Sequence, residues 1–206
     1  MANFSDSNSS DRKNQEFFRA LVQTTRALAG VPTLKVVTQN ECANERANER
    51  ANEHDGASGH QTDARTPTLH LPAFPTHADD ETRRDYQSLA NREAFLWRYS
   101  GGQSAGVTDL NVPASVLSDI IKPLDVAWTE AKGKQHYKGS MEGVESLRRR
   151  EIKHVVEQTA EYSSHQQLGH VISTALRLEM GEKLVPEEKQ LLKQYKKYLT
   201  PDVKEW

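Results

Sequence analysis

From Val112 to Leu147 the chain places apolar residues at three- and four-residue steps: Val116, Leu117, Ile120, Ile121, Leu124, Ala127, Trp128 and Ala131. That spacing gathers them on one side of a helix and sends the intervening charges elsewhere. A helix of this length gains most of its stability by packing that stripe against other elements. Pro113 suits a helix first turn, whereas Pro123 is expected to kink or divide the helix in which it lies. A cationic segment with glycines at Gly133, Gly139 and Gly143 follows, then Val144, Leu147 and the run Arg148-Arg149-Arg150.

Further helices are expected on both sides of this region. Phe17, Phe18, Leu21, Val22, Thr25 and Leu28 form an amphipathic stripe that Gly30 and Pro32 close. A helix is expected around Leu89 to Trp97 and another over Val171 to Leu178. Pro186 followed by Glu187 and Glu188 is a good helix start, and Thr200-Pro201 is its expected stop. Residues 34–39 and 68–72 read as strands that pair as a hairpin with an unusually long connection. The expected class is mainly α with a small β-hairpin, an α+β chain with five to seven helices.

Residues 1–13, rich in Ser, Asn and Asp, read as a disordered tail, residues 14–200 as one helical domain, and 201–206 as a C-terminal tail. Within 41–66 the tandem Ala43-Asn-Glu-Arg, Ala47-Asn-Glu-Arg and Ala51-Asn-Glu-His carries too little apolar surface to offset its ordering entropy and reads as a polar loop. Hydrophobic content of 35% and a mean hydropathy of −0.79 agree with such segments outside the core. A net charge of −2 gives no overall attraction to nucleic acid or an anionic membrane. Residues 132–206 are mildly basic, with 14 Lys and Arg against 11 Asp and Glu. A single cysteine, Cys42, cannot form an internal disulfide, which points to a reducing compartment and so to the cytoplasm. Neither a secretory leader nor a membrane-length apolar run is visible.

The catalytic signatures that a sequence can display are missing. There is no phosphate-binding Gly-x-x-x-x-Gly-Lys-Ser/Thr loop, so an ATPase would have to be a partner, and there is no Gly-x-Ser-x-Gly elbow. Glu151 and His154 share a helix face at Glu-x-x-His spacing, but without a second copy they read as a solvated face and not a metal site. His165 and His170 lie five apart, on different sides of a helix. Arg92 and Leu96 stand where a His-Glu-x-x-His zinc motif would place its histidines, so Ala90, Ala94 and Trp97 read as packing residues. The run Arg148-Arg149-Arg150 with Lys153 lacks the interleaved aromatics of a nucleic-acid surface and reads as a solvated face or protein contact. Trp128 reads as a core anchor or part of a partner surface. With Glu130, Arg148, Arg149 and Arg150 it makes up the set of candidate interaction residues.

The order of these elements, with Asp125-Val-Ala-Trp128-Thr-Glu130 leading into the segment His136-Tyr-Lys-Gly139 and then Val144 to Leu147, resembles the N-terminal region of the cobaltochelatase T subunit, CobT. Leu69-His-Leu-Pro72 stands where that family places a Leu-Pro before its next helix, and the resemblance covers roughly Phe17 to Tyr198. It implies a non-catalytic subunit that works with an AAA+ ATPase and a large chelating subunit. The complex would use ATP with Mg²⁺ to insert Co²⁺ into hydrogenobyrinic acid a,c-diamide in aerobic cobalamin biosynthesis. The chain itself would bind no cofactor. The family's acidic linker and von Willebrand A domain would begin near or after Trp206. The alternative expectation is a helical adaptor module for another AAA+ partner.

Overall fold

The computed structural model describes residues 5–39, 67–75, 78–100 and 113–196. The Ala-Asn-Glu-Arg repeat, Cys42 and Trp206 lie outside them. The described residues are mostly helical with one two-stranded sheet, as expected. It separates into two compact units, Met1–Ala94 and Phe95–Trp206, and helix α2 runs across the boundary.

In the first unit, α1 spans Ser5–Ala29 and therefore extends over much of the stretch expected to be a disordered tail. Gly30 ends it at φ 71°, and the Val31 N–H donates back to Arg26 O. This is the left-handed C-terminal turn that a residue without a Cβ enters at least cost. Strands β1 (Lys35–Thr38) and β2 (Thr68–Leu71) follow. They pair in parallel, Lys35 opposite Thr68 and Thr38 opposite Leu71, so the expected hairpin is corrected. A hairpin needs only a tight turn, whereas parallel strands need a crossover of a dozen or more residues, and the long connection from 39 to 67 supplies that length. Val36, Val37, Leu69 and Leu71 are buried with Leu21, Leu28 and Leu34. Phe74 stacks on Phe17 and meets Tyr86 edge-on, while Tyr86 donates to Pro72 O at 2.6 Å.

Helix α2 (Asp80–Ser100) starts at Asp79, whose carboxylate accepts from Thr82 N at 2.7 Å. That hydrogen bonding to Thr82 holds the Asp79 carboxyl below its ordinary range. Ala90 and Ala94 are fully buried and Arg92 nearly so, which fits the packing role expected for the two alanines.

The second unit holds α3 (Ala114–His136), α4 (Lys138–Glu157), a 3-10 turn at Thr159–Glu161, α5 (Ser164–Glu179) and α6 (Pro186–Tyr195). Pro123 lies inside α3 without dividing it. The glycine-punctuated segment is helical apart from a break at Tyr137. Gly133 is needed there because the Phe95 ring lies against it: an added Cβ would come 2.9 Å from two ring carbons.

Contacts between α3 and α5 pair early with early and late with late residues. Ser163 Oγ donates to Asp119 Oδ2 at 3.3 Å, Gly169 lies against Asp119 and Ile120, and Arg177 reaches Glu130. The two helices therefore run parallel. Helices α4 and α6 are neighbours too, joined at the start of α6 by Arg149 on Glu187 and Arg148 on Glu188. Ile152, Val155, Val171 and Leu191 make a buried cluster against which Val156, Tyr162, Leu192 and Tyr195 pack. Ser163 caps α5 by accepting from Gln166 N, and Gln166 Oε1 accepts from Ser163 N in return. Among the described residues no helix is long and apolar enough to cross a membrane.

Candidate functional site

Arg148, Arg149 and Arg150 are consecutive, and the helix turn of about 100° per residue sends them three ways. Arg148 goes inward and is 4% exposed. Arg149 lies along the surface and donates to Glu187 at 2.9 Å, and Arg150 is exposed. One basic run is thus divided between the core and the surface.

The inward arginine belongs to a buried ion network built from every helix of this unit that follows α2. Arg177 of α5 donates to Glu130 of α3 at 2.6 Å and lies 3.4 Å from Glu182. Arg148 Nη1 is 3.1 Å from Glu182 and 3.7 Å from Glu130, and its Nε is 3.2 Å from Glu188 Oε1. Glu188 Oε2 accepts from Val185 N at 3.0 Å, so the same side chain caps α6. All five ionic side chains are at most 8% exposed. Glu182 reaches the network because Gly181, at φ 77°, reverses the chain after α5 and lets Glu182 N donate to Arg177 O. Three carboxylates face two guanidinium forks, and each fork spans more than one carboxylate, a geometry lysine could not reproduce.

Glu130 and Arg148 are therefore engaged inside the bundle and not on a surface open to a partner. Their network partners Arg177, Glu182 and Glu188 were not among the expected site residues. The available signal was charge at core positions: Glu130 sits between Ala127 and Ala131, and Arg177 falls within the apolar stripe of α5. Trp128 corrects the core-anchor expectation, since it is 45% exposed, with Lys132 Nζ 4.6 Å from its ring centroid. Leu168 and Ile172 of α5 are the other large apolar residues exposed among the described ones.

At one end of the bundle, His154 Nδ1 lies 2.9 Å from Tyr162 Oη, and the Tyr162 ring meets His170 edge-on. Desolvation, with the Glu161 and Glu151 charges added, pushes the Tyr162 hydroxyl above its ordinary range. Gln167 donates to Thr159 O and Tyr162 O and accepts from Tyr195. His154 thus fastens the α4 to α5 connection, and His165 is exposed away from it. Among the described residues no three His, Cys, Asp or Glu side chains gather to hold a metal ion.

Asp125 Oδ2 is a buried oxygen with no hydrogen-bond partner among the described residues, and desolvation raises the Asp125 carboxyl above its ordinary range. A raised carboxyl favours the folded state only while protonated, so its contribution is lost as pH rises from the unfolded value through the folded one. Asp125→Asn is predicted to raise the melting temperature at pH 7 and leave it nearly unchanged at pH 3. The gain should be under about 1 kcal/mol because water screens this half-buried group. Thermal melts at the two pH values check this, and equal shifts at both would count against it.

No protein-family model, curated protein or solved structure matches the chain.

Proposed function

We propose that this chain is a non-catalytic helical interaction subunit that serves as a CobT-like component of an ATP-dependent cobaltochelatase. What supports an interaction role is the distribution of chemistry in the second unit. The buried arginine and glutamate side chains of this unit are engaged with one another in the interior, while Trp128, Leu168 and Ile172 are left at the surface. Exposed large apolar side chains gathered into one patch on a folded scaffold mark a protein contact. The choice of complex comes from the sequence resemblance around Asp125–Glu130 and Gly139–Leu147.

In this role the chain couples an AAA+ ATPase to a large chelating subunit. ATP, Mg²⁺ and cobalt are handled by the complex, with cobalt as its substrate. Size-exclusion chromatography with light scattering on the chain mixed with a cobaltochelatase AAA+ subunit tests it. A complex that forms with ATP and dissolves without it is the expected result, followed by faster cobalt insertion by the reconstituted enzyme. Elution of the chain alone with and without nucleotide would reject the cobaltochelatase role. A complex with a different AAA+ protein in place of this one would leave the adaptor function and change the pathway.

A further inference from the structure

The second unit carries an apolar face on the side of the α3 and α5 pair turned away from α4 and α6. On α5, Val171 points into the cluster with Ile152, Val155 and Leu191. Leu168, Ile172 and Leu176 recur at four-residue steps along a flank of that helix about 60 to 140° round from Val171. On α3, Asp119, Pro123 and Glu130 meet α5, whereas Ile121, Leu124 and Trp128 lie around the helix from that seam. Leu168 is 42%, Ile172 36% and Trp128 45% exposed, and Ile121, Leu124 and Leu176 are half-buried.

The parallel register makes these residues one surface. Ile120 is level with Gly169 and Glu130 with Arg177, so equal helical rise brings Leu124 level with Ile172 and Trp128 level with Leu176. Because Gly169 has no side chain, the two backbones approach closely and leave a shallow groove between parallel apolar ridges.

The size of the face selects its occupant. From Leu117 to Trp128 the helix rises about 17 Å, and two helices 8 to 10 Å apart present a strip roughly 20 Å wide. That footprint of roughly 350 Å² is less than half of the about 800 Å² per partner that a stable dimer of folded chains buries. It matches a single helix of about three turns, which presents anchors at i, i+3 or i+4, and i+7. Charge adds a second constraint. Lys132 covers one face of Trp128 and has no ion pair among the described residues, so the ammonium at that end of the groove asks for a carboxylate.

We propose that the groove between α3 and α5 docks a short amphipathic helix of a partner protein, with apolar anchors along Leu124, Ile172 and Leu176 and an acidic residue against Lys132. The surface rests on the reading of the chain as an interaction subunit and specifies where that interaction occurs. Trp128 is the anchor at the basic end, where an aromatic ring and a cation together contribute more than either alone.

The test titrates the isotope-labelled full chain with a capped 16-residue helical peptide that carries leucines at i, i+3, i+7 and i+10 and flanking glutamates. A scrambled peptide of the same composition is the control. The expected result is a saturable shift of the Trp128 indole resonance with a dissociation constant on the order of 100 μM, at least about tenfold weaker for the scrambled peptide. Ile172→Glu should weaken binding at least about tenfold with an unchanged circular dichroism spectrum, and Leu168→Glu, at the more exposed end, repeats the test should Ile172→Glu not fold. Equal binding of both peptides, no binding, or binding unaffected by both variants overturns the proposal. Concentration-dependent dimerisation abolished by Ile172→Glu overturns it in favour of a second copy of this chain. If the ATPase complex forms equally well with Ile172→Glu, the docking face is rejected while the interaction role stands. If no ATPase complex forms with the unaltered chain, that role fails first.

Discussion

Replacing Arg177 with Met is expected to destabilise the second unit by about 3 to 5 kcal/mol, the range found when one partner of a buried ion pair is removed and the other charge is left uncompensated. Glu130 is fully buried, and Arg177 Nη2 at 2.6 Å is its shortest ion-pair contact. The same guanidinium also faces Glu182 and Glu188, so three carboxylates lose neutralisation together. In a unit of this size the loss corresponds to a melting temperature lower by roughly 10 to 20 °C. Arg177→Lys should recover little of it, since one ammonium cannot span three carboxylates. Adding Glu130→Gln to Arg177→Met should restore about 1 to 3 kcal/mol, because the second substitution removes the charge the first left unpaired. Urea unfolding followed by circular dichroism measures all four proteins. A loss below about 1 kcal/mol in Arg177→Met would mean that water reaches the network and screens it.

Most of the second unit could be read from periodicity, and most of its ion network could not. The apolar stripes of α3 and α5 and the Pro186 start of α6 obey local rules of helix spacing and first-turn preference, so one segment at a time suffices to find them. The network depends on which helices are neighbours. Arg148 and Glu182 are 34 residues apart, and Glu130 and Arg177 are 47 apart. Arg148 falls four residues after Val144 and four before Ile152, on the apolar stripe of α4, and Arg149 and Arg150 lie off it, but nothing local says which carboxylates receive the buried charge. Trp128 was open to two readings for the same reason: its spacing places it on the apolar stripe of α3, and only the packing of α5 on another side of that helix leaves it exposed. The strand pair shows a related limit. Alternation and flanking residues located β1 and β2, but their relative direction depends on the path from 39 to 67, which strand propensity does not encode.

Gly169→Ala is expected to cost about 3 kcal/mol, near the upper end of what an extra methyl in a packed interior produces, because it would push α3 and α5 apart. The added Cβ would collide with the Asp119 carbonyl oxygen and lie 3.1 Å from Ile120 Cα and 3.2 Å from Pro123 Cγ. Two of these atoms are backbone and the third belongs to a proline ring, so no flexible side chain can move aside. The only relief is a shift of a whole helix, which would also lengthen the Arg177 to Glu130 contact further along the same seam. Gly139→Ala makes the control. Gly139 lies in the first turn of α4 with nothing within 4 Å of an added Cβ, so the better helix former should stabilise by up to about 1 kcal/mol. The two substitutions have the same chemistry and opposite expected signs, and chemical denaturation of both variants checks them together. If Gly169→Ala were as well tolerated as Gly139→Ala, the parallel pair would not be in close backbone contact. The docking groove would then have to be wider than a single helix requires.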